Sequence, residues 1–533
     1  MSFQRLLLAL GFALAAMSLH AAKGEIYPGA GRKWQRYESP NFELYSANSD
    51  RESRDVLERM ELLRALFLDT FKLKPRLPQP VTIYYFDRHD EFDGYRPPSI
   101  RGGDSKFSGF CNNFPDRTVI SLAPARSRER ATEVVYHEYI HYLFRITEQN
   151  PAPWFNEGMA ELYSTMEEDK EWLQMGQPVP ACVFELQMGK MMPFEQLFAV
   201  EYDSPLFKNS AHTGMFYAQS WAFLHYCRYG LNKIPPEKMS LFLRVAGSSE
   251  IQEKPAEFRA VCRELLGMDY PELLKELQNY VTYGRFQGRK VKRPAIASRA
   301  TYTVRPVPRE EMTIHLAELS LRMTDSAQAN LLIRDQLAKS PDSRLCELLG
   351  AVALRANEPG VARERFRAAM DLGTTNAAIF RELGRLESNA VFENFNLDYH
   401  MPAKRAADLR HLLAKSLECA PEQSQGYELL AWVEASVDQP DIPSINRIQE
   451  RFKTLNDQAR TLLALVIIRQ RLGQTQAALD LLGQIDQLKP SEWVQFHAEL
   501  VRARLEGRPV NRDRLPRVTP PAVRFTPTFS LPQ

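Results

Sequence analysis

The chain has little that would reveal its chemistry through composition. Its 533 residues carry 68 Lys and Arg against 66 Asp and Glu, a formal net charge of +2. No global field draws it to nucleic acid or to an anionic bilayer. Cysteine is scarce: Cys111, Cys182, Cys227, Cys262, Cys346 and Cys419 stand alone, with no C-x-x-C pair among them. They read first as buried small hydrophobes. An oxidising compartment would permit disulfides, but the sequence selects no pairing. With 44% hydrophobic and 25% charged residues, the composition excludes a disordered, collagenous or polytopic membrane chain. The length is too great for one compact core and implies two to four domains. Specificity must therefore be local.

Beyond residue 22 no run approaches the roughly 18 uninterrupted apolar residues of a membrane span. The first 22 residues differ from the rest: Arg5 supplies a positive start, Leu6 to Leu19 an apolar stretch, and His20-Ala21-Ala22 small residues before Lys23. This pattern predicts a signal peptide over 1–22 and a periplasmic or secreted protein with no integral membrane segment after cleavage. An uncleaved anchor is the alternative. The first cysteine is Cys111, so no thiol stands near the cleavage point to take a lipid.

Alternating apolar positions in FELYSA (42–47) and the run VTIYYF (81–86) predict strands. Between them Leu57, Met60, Leu63 and Phe67 recur at helical spacing. A Gly/Ser turn follows at Gly102 to Ser105, then strands over 107–111 and 118–122 joined by NNFPD as a hairpin. Helical periodicity takes over near Arg128 and continues to about Tyr283. The segment 285–310 contains RKVKR and little periodicity, and reads as a basic linker or strap.

From 311 to 508 the chain is helical and repetitive. Leu462, Leu465, Gly473, Ala478, Leu482, Ile485 and Pro490 fall where a repeat of about 34 residues wants large, small and Gly positions. An earlier copy has Leu349-Gly350, Ala362, Phe366 and Ala369. A middle copy runs from Leu383-Gly384 to Pro421 with FENFNLDYHMP inserted. The region resembles a tetratricopeptide array, each unit burying its remaining apolar face against a neighbour. A generic helical bundle remains the simpler alternative. Residues 509–533 are Pro-rich and aperiodic, as in a disordered tail.

The chemistry concentrates in EVVYHEYIHYLFRI (133–146). On a helix, His137 and His141 lie one turn apart on one face and can present ring nitrogens to a single Zn²⁺. Glu138 stands about 100° around, placed to activate water rather than to ligate: the H-E-x-x-H arrangement. Otherwise the helix is apolar, so these groups are costly to bury unless paired or metallated. After Pro151 and Pro153 comes WFNEGMAELY (154–163). There Glu157 can complete a His₂Glu site, and Glu161, one turn on, can accept a hydrogen bond from a ligand histidine and fix its tautomer. The strand over 118–122, just before the metal helix, is a candidate for pairing an extended peptide.

HEYIH followed by PWFNEGMAELY resembles the gluzincin metallopeptidases, most closely the peptidase-MA-like domains of exported bacterial proteins, over roughly residues 35 to 280. The resemblance implies an α+β fold: an N-terminal zincin-like domain (23–284), with a small sheet and active-site helices, followed by an all-α tetratricopeptide-type solenoid. It implies one zinc ion on His137, His141 and Glu157, with Glu138 as general base. It also points to Tyr217, in FYAQSW, or His212 as the donor to the tetrahedral intermediate. The fifteen residues between His141 and Glu157 are fewer than in the thermolysin-like and aminopeptidase branches. No G-x-M-E-N string is present, so endopeptidase action on a peptide or protein is the expectation, with the repeats engaging a protein partner. The competing expectation is a noncatalytic tetratricopeptide scaffold whose metal domain is vestigial or structural.

Overall fold

The structure, a computed structural model, describes residues 27–97, 108–124, 130–168, 171–202, 204, 210–231, 234–248, 255–284, 286, 288–296, 301–392, 397–488 and 490–509. The expected signal peptide, the turn at 102–105 and all but the first residue of the expected tail lie outside these residues. No helix among the described residues is long and apolar enough to cross a membrane.

The first half is built on a six-stranded mixed sheet. Its strands are β1 (Trp34–Glu38), β2 (Glu43–Ser46), β3 (Val81–Tyr85), β4 (Gly109–Asn113), β5 (Thr118–Leu122) and, much later, β9 (Thr303–Val307), in the order β4-β5-β3-β2-β1-β9. Helix α1 (Asp50–Phe71) connects the parallel pair β2 and β3. Its start is fixed by a capping box in which Ser49 accepts from the Glu52 backbone and Glu52 accepts from that of Ser49. The predicted apolar stripe Leu57, Met60, Leu63 and Phe67 is buried.

Because side chains alternate along a strand, the sheet has two apolar faces. Leu44, Ile83, Cys111 and Ile120 pack with α1 and with later helices of the N-terminal half, through residues such as Tyr139, Leu143 and Phe155. Trp34, Tyr45, Tyr84, Phe110 and Val119 pack instead with Met312, Leu316, Leu345 and Leu348, which belong to α11 (Arg309–Thr324) and α13 (Ser343–Arg355). The first helices of the C-terminal half thus cover one face of the N-terminal sheet.

This corrects the reading of 285–310 as a linker. That segment carries β8 (Arg289–Lys292), which joins β6 (Glu167–Glu168) and β7 (Trp172–Met175) in a small second sheet, and β9, which pairs antiparallel with β1. Positive charge and the lack of periodicity mark RKVKR as a connector, whereas backbone pairing with neighbouring strands decides its structure.

The remaining helices of the N-terminal half are α2 (His89–Asp93), α3 (Arg130–Ile146), α4 (Pro153–Ser164), α5 (Pro180–Met188), α6 (Phe194–Phe198), α7 (Ser210–His225), α8 (Pro236–Ala246), α9 (Pro255–Val261) and α10 (Tyr270–Thr282). The C-terminal half begins with α11 and α12 (Ala327–Lys339). It continues with α13 and α14 (Pro359–Asp371), α15 (Ala377–Phe392) and α16 (Ala403–Cys419), α17 (Ser424–Ala435) and α18 (Ile442–Arg451), α19 (Gln458–Arg471) and α20 (Thr475–Gln487), and ends with α21 (Glu492–Leu505). Partners within each pair touch, and the first helices of most successive pairs also touch. The three sequence copies correspond to the pairs α13/α14, α15/α16 and α19/α20. Small residues act there as expected: a Cβ at Gly350 would stand 2.3 Å from the ring of Phe366. Gly473 has φ +70° just after α19, a backbone state that glycine adopts without strain. The inserted segment falls between α15 and α16, and the part of it at 393–396 lies outside the described residues.

Candidate metal centre

Helix α3 buries Val135, Tyr139, Ile140 and Leu143, which sets His137, Glu138 and His141 on its remaining face. Pro153 opens α4 at a position where its missing N–H is no loss, and nearly every residue of that short helix is buried. Trp154 anchors it against Phe198, Phe223 and Phe258. Gly158 lets α4 lie directly on α7, since a Cβ there would come 2.6 Å from the carbonyl oxygen of Ser220. Three helices therefore meet at fixed spacing, bearing His137, Glu138 and His141 (α3), Glu157 and Glu161 (α4), and Tyr217 (α7).

The Nε2 atoms of His137 and His141 are 3.2 Å apart, and Glu157 Oε2 is 3.3 Å from the first and 3.4 Å from the second. Glu157 is 2% exposed, and its Oε2 has no hydrogen-bond partner among the described residues. The far sides of the rings face acceptors: Asn156 Oδ1 is 2.9 Å from His141 Nδ1, and Glu161 Oε1 is 3.4 Å from His137 Nδ1. Acceptors there place the ring protons on Nδ1 and turn the Nε2 lone pairs inward. Two lone pairs and an anionic oxygen then converge on one point.

A cation fits that point. Four-coordinate zinc with bonds of about 2.0–2.1 Å keeps its ligands about 3.3–3.4 Å apart, matching the observed separations. His137, His141 and Glu157 form the one three-residue group of potential metal ligands among the described residues. The electrostatics agree. Burial opposes charge on His137, but Glu161 and Glu157 outweigh it and raise its pKa well above the usual value. Burial likewise works to protonate Glu157, yet His141 and His137 hold its carboxyl at about 2. The pocket demands positive charge, which either a metal or protonated histidines can supply.

Around this trio the surroundings divide the carboxylates. Burial raises the pKa of Glu138, with His141 and His137 only partly offsetting it. Tyr217 has its ring centroid 6.2 Å from that of His137. Burial, together with Glu157, Glu138 and Glu161, pushes its hydroxyl far up. It therefore stays a proton donor at neutral pH.

The structure brings together His137, Glu138, His141, Glu157, Glu161 and Tyr217. His212 falls in α7, but its side chain lies outside the described residues. One expectation is corrected: β5 (118–122) cannot pair a peptide, because β4 and β3 occupy both its edges. The sheet edge nearest α3 is β4, and its Cys111 thiol is electrostatically coupled to Glu138. Two contributors were missed. Asn156 orients His141, and its Nδ2 donates to the hydroxyl of Tyr202 at 2.6 Å. The position of Asn156, directly before Glu157, is a usable signal; Tyr202 is 46 positions away in a segment with no periodicity to mark it.

The chain matches no protein-family model and no curated protein. Among solved structures it aligns with native yeast LTA4 hydrolase at 13% identity and a TM-score of 0.22, over 82% of this chain and 67% of that one. An overlap this loose establishes no shared fold.

Proposed function

We propose that the chain is a zinc-dependent peptidase of gluzincin type, acting as an endopeptidase. The observation that carries this reading is the convergence of His137 Nε2, His141 Nε2 and Glu157 Oε2, with Glu138 beside them on α3. Bound by these three groups, zinc would polarise a substrate carbonyl and acidify water. Glu138 accepts a proton from the attacking water and returns it to the leaving amine. Tyr217 donates a hydrogen bond to the carbonyl oxygen as negative charge builds there. Asn156 and Glu161 hold the histidine tautomers. An extended substrate adds to the edge of β4, where backbone donors and acceptors are available for a peptide of any sequence.

In this reading the C-terminal half is a tetratricopeptide-type array that engages a protein partner on the surface not covering the sheet, and the protein works after export. A structural zinc would have no need of Glu138. The test is zinc content and hydrolysis of a denatured protein mixture by the full chain beside Glu138→Gln. Both proteins should bind one zinc and only the parent should cleave. Equal cleavage by the two would refute the role of Glu138. Zinc binding without cleavage by either would favour the noncatalytic scaffold.

A further inference from the structure

The wall of the site made by α5 and α7 carries an acidic group that the chemistry above leaves unused. Glu185, half-buried on α5, has no side-chain hydrogen bond or ion pair among the described residues. Its carboxyl group lies against Gly214 of α7: a Cβ there would stand 3.1 Å from Cδ and 3.3 Å from each carboxyl oxygen. Gly214 precedes Tyr217 by three positions, so the two share a face of α7. On the other side, Cys182 lies one turn earlier in α5 and is electrostatically coupled to both Glu161 and Glu185. Glu161 in turn contacts His137. The Gly214 contact thus sets the Glu185 carboxylate on the α5–α7 wall, about one turn of α7 before Tyr217.

Its charge distinguishes it. Glu157 and Glu161 each face a histidine, and Glu138 lies between His141 and His137 in the local field. Among the described residues Glu185 has no such counter-charge. An uncompensated carboxylate on a low-dielectric wall favours cations in the space before it. The same helix leaves Phe184 61% and Met188 75% exposed, an apolar surface on which the aliphatic stem of a long cationic side chain can lie.

We infer that Glu185 selects a cationic group on the substrate, an ammonium or guanidinium, as the peptide passes α5. This rests on the peptidase reading for the word substrate, but not for the binding itself. The cation can come from a Lys or Arg side chain or from a free peptide N-terminus.

The test uses the zinc-loaded full chain carrying Glu138→Gln and measures fluorescence anisotropy with three peptides labelled at the C-terminus. One has a blocked N-terminus and a single Lys, one a free N-terminus and no Lys, and one is blocked and neutral. The Lys peptide, the free-amine peptide or both should bind about tenfold more tightly than the neutral one, and which of them does so identifies the source of the cation. Adding Glu185→Gln should bring the ratio to within about twofold, and Glu185→Lys should reverse it, so that the neutral peptide binds more tightly than the cationic ones. A ratio unmoved by both substitutions, or no binding of any peptide, overturns the inference. Zinc content of each variant reports an intact site. Cleavage by the parent with an unmoved ratio would leave the peptidase reading standing alone. A Glu185-dependent preference without cleavage by the parent would sink that reading and leave the cation site.

Discussion

Asp116 and Arg322, 206 positions apart, form a bidentate ion pair of 2.8 and 2.6 Å with both side chains buried. The pair ties the tip of the β4–β5 hairpin to α11. Around it Arg117 reaches Glu347 at 3.3 Å, and Asn376 Nδ2 donates to the Asp116 carbonyl at 2.7 Å. Further along, Glu148 accepts from the Ser424 backbone at the start of α17, and Arg76 donates to the Thr454 carbonyl. The C-terminal helices therefore hold the N-terminal half at several points.

Asp116→Asn should destabilise the protein by about 3–5 kcal/mol, because it leaves Arg322 buried without its carboxylate and Arg117 with Glu347 alone. Denaturant unfolding of the parent and the variant measures this. A pH dependence accompanies it. Burial works against the Asp116 carboxylate, yet Arg322 and Arg117 hold its pKa at about 2, against about 3.9 in an unfolded chain. The unfolded state therefore binds the proton more tightly. The contribution, roughly 2–3 kcal/mol, is complete above roughly pH 4 and disappears as the pH falls through about 2. Glu43, also held at about 2 by Arg344 and Arg36 against its burial, loses its share over the same range. Asp116→Asn should flatten part of the acid slope and leave the Glu43 part; an unchanged slope would show that Asp116 is not held this way.

A chain ending at residue 284 should fail to behave as a folded domain. It would lose β9 and uncover Trp34, Tyr45, Tyr84, Phe86 and Phe110, all buried at 2% exposure or less. Aromatic side chains bury roughly 150–250 Å² each, so the uncovered face exceeds the patches that soluble monomers tolerate. The expected result is aggregation, or a soluble fraction that binds a hydrophobic dye strongly where the full chain does not. A monodisperse truncated protein with a full complement of zinc would show that the sheet needs no cover.

That dependence bears on what could be read from the sequence. The metal trio was legible because helix geometry turns a spacing of four into a shared face, and Pro153 brings the next helix in after a short connector. The strands in FELYSA, VTIYYF and the NNFPD hairpin were legible from alternation and turn residues. Their second apolar face was not. Tyr45, Tyr84 and Phe110 read as ordinary strand residues, and nothing local says that helices some 200 residues later will cover them. For the same reason β9 was hidden: TVRPV is mostly exposed and contains Pro306, so only its pairing with β1 makes it a strand.

Asn156→Ala should weaken zinc binding by about 10- to 100-fold, the usual loss when a ligand histidine loses its outer hydrogen bond. Asn156→Asp keeps an acceptor at His141 Nδ1 and should stay closer to the parent. Tyr202→Phe removes the acceptor for Asn156 Nδ2 and should have the smallest effect. Competition against a chromophoric chelator gives the three affinities. Equal affinity for Asn156→Ala and the parent would mean that the ring orientation of His141 is set by packing alone.

Gly158→Ala tests whether the spacing of α4 and α7 matters to the site. The added methyl would stand 2.6 Å from the Ser220 carbonyl oxygen and 2.8 Å from its carbon. Both are backbone atoms, so no side-chain rotation relieves the clash and the helices must move apart. Overpacking of this kind costs about 1–3 kcal/mol. The movement carries Glu157, the preceding residue, away from the histidines and widens the gap to Tyr217 on α7. Zinc affinity should therefore fall along with thermal stability. Leu224→Ala, which removes the third close neighbour at 2.9 Å, should not restore either property in the double variant, because the backbone contact remains. A Gly158→Ala protein with the parent's melting temperature and zinc affinity would show that α4 can shift without disturbing the site.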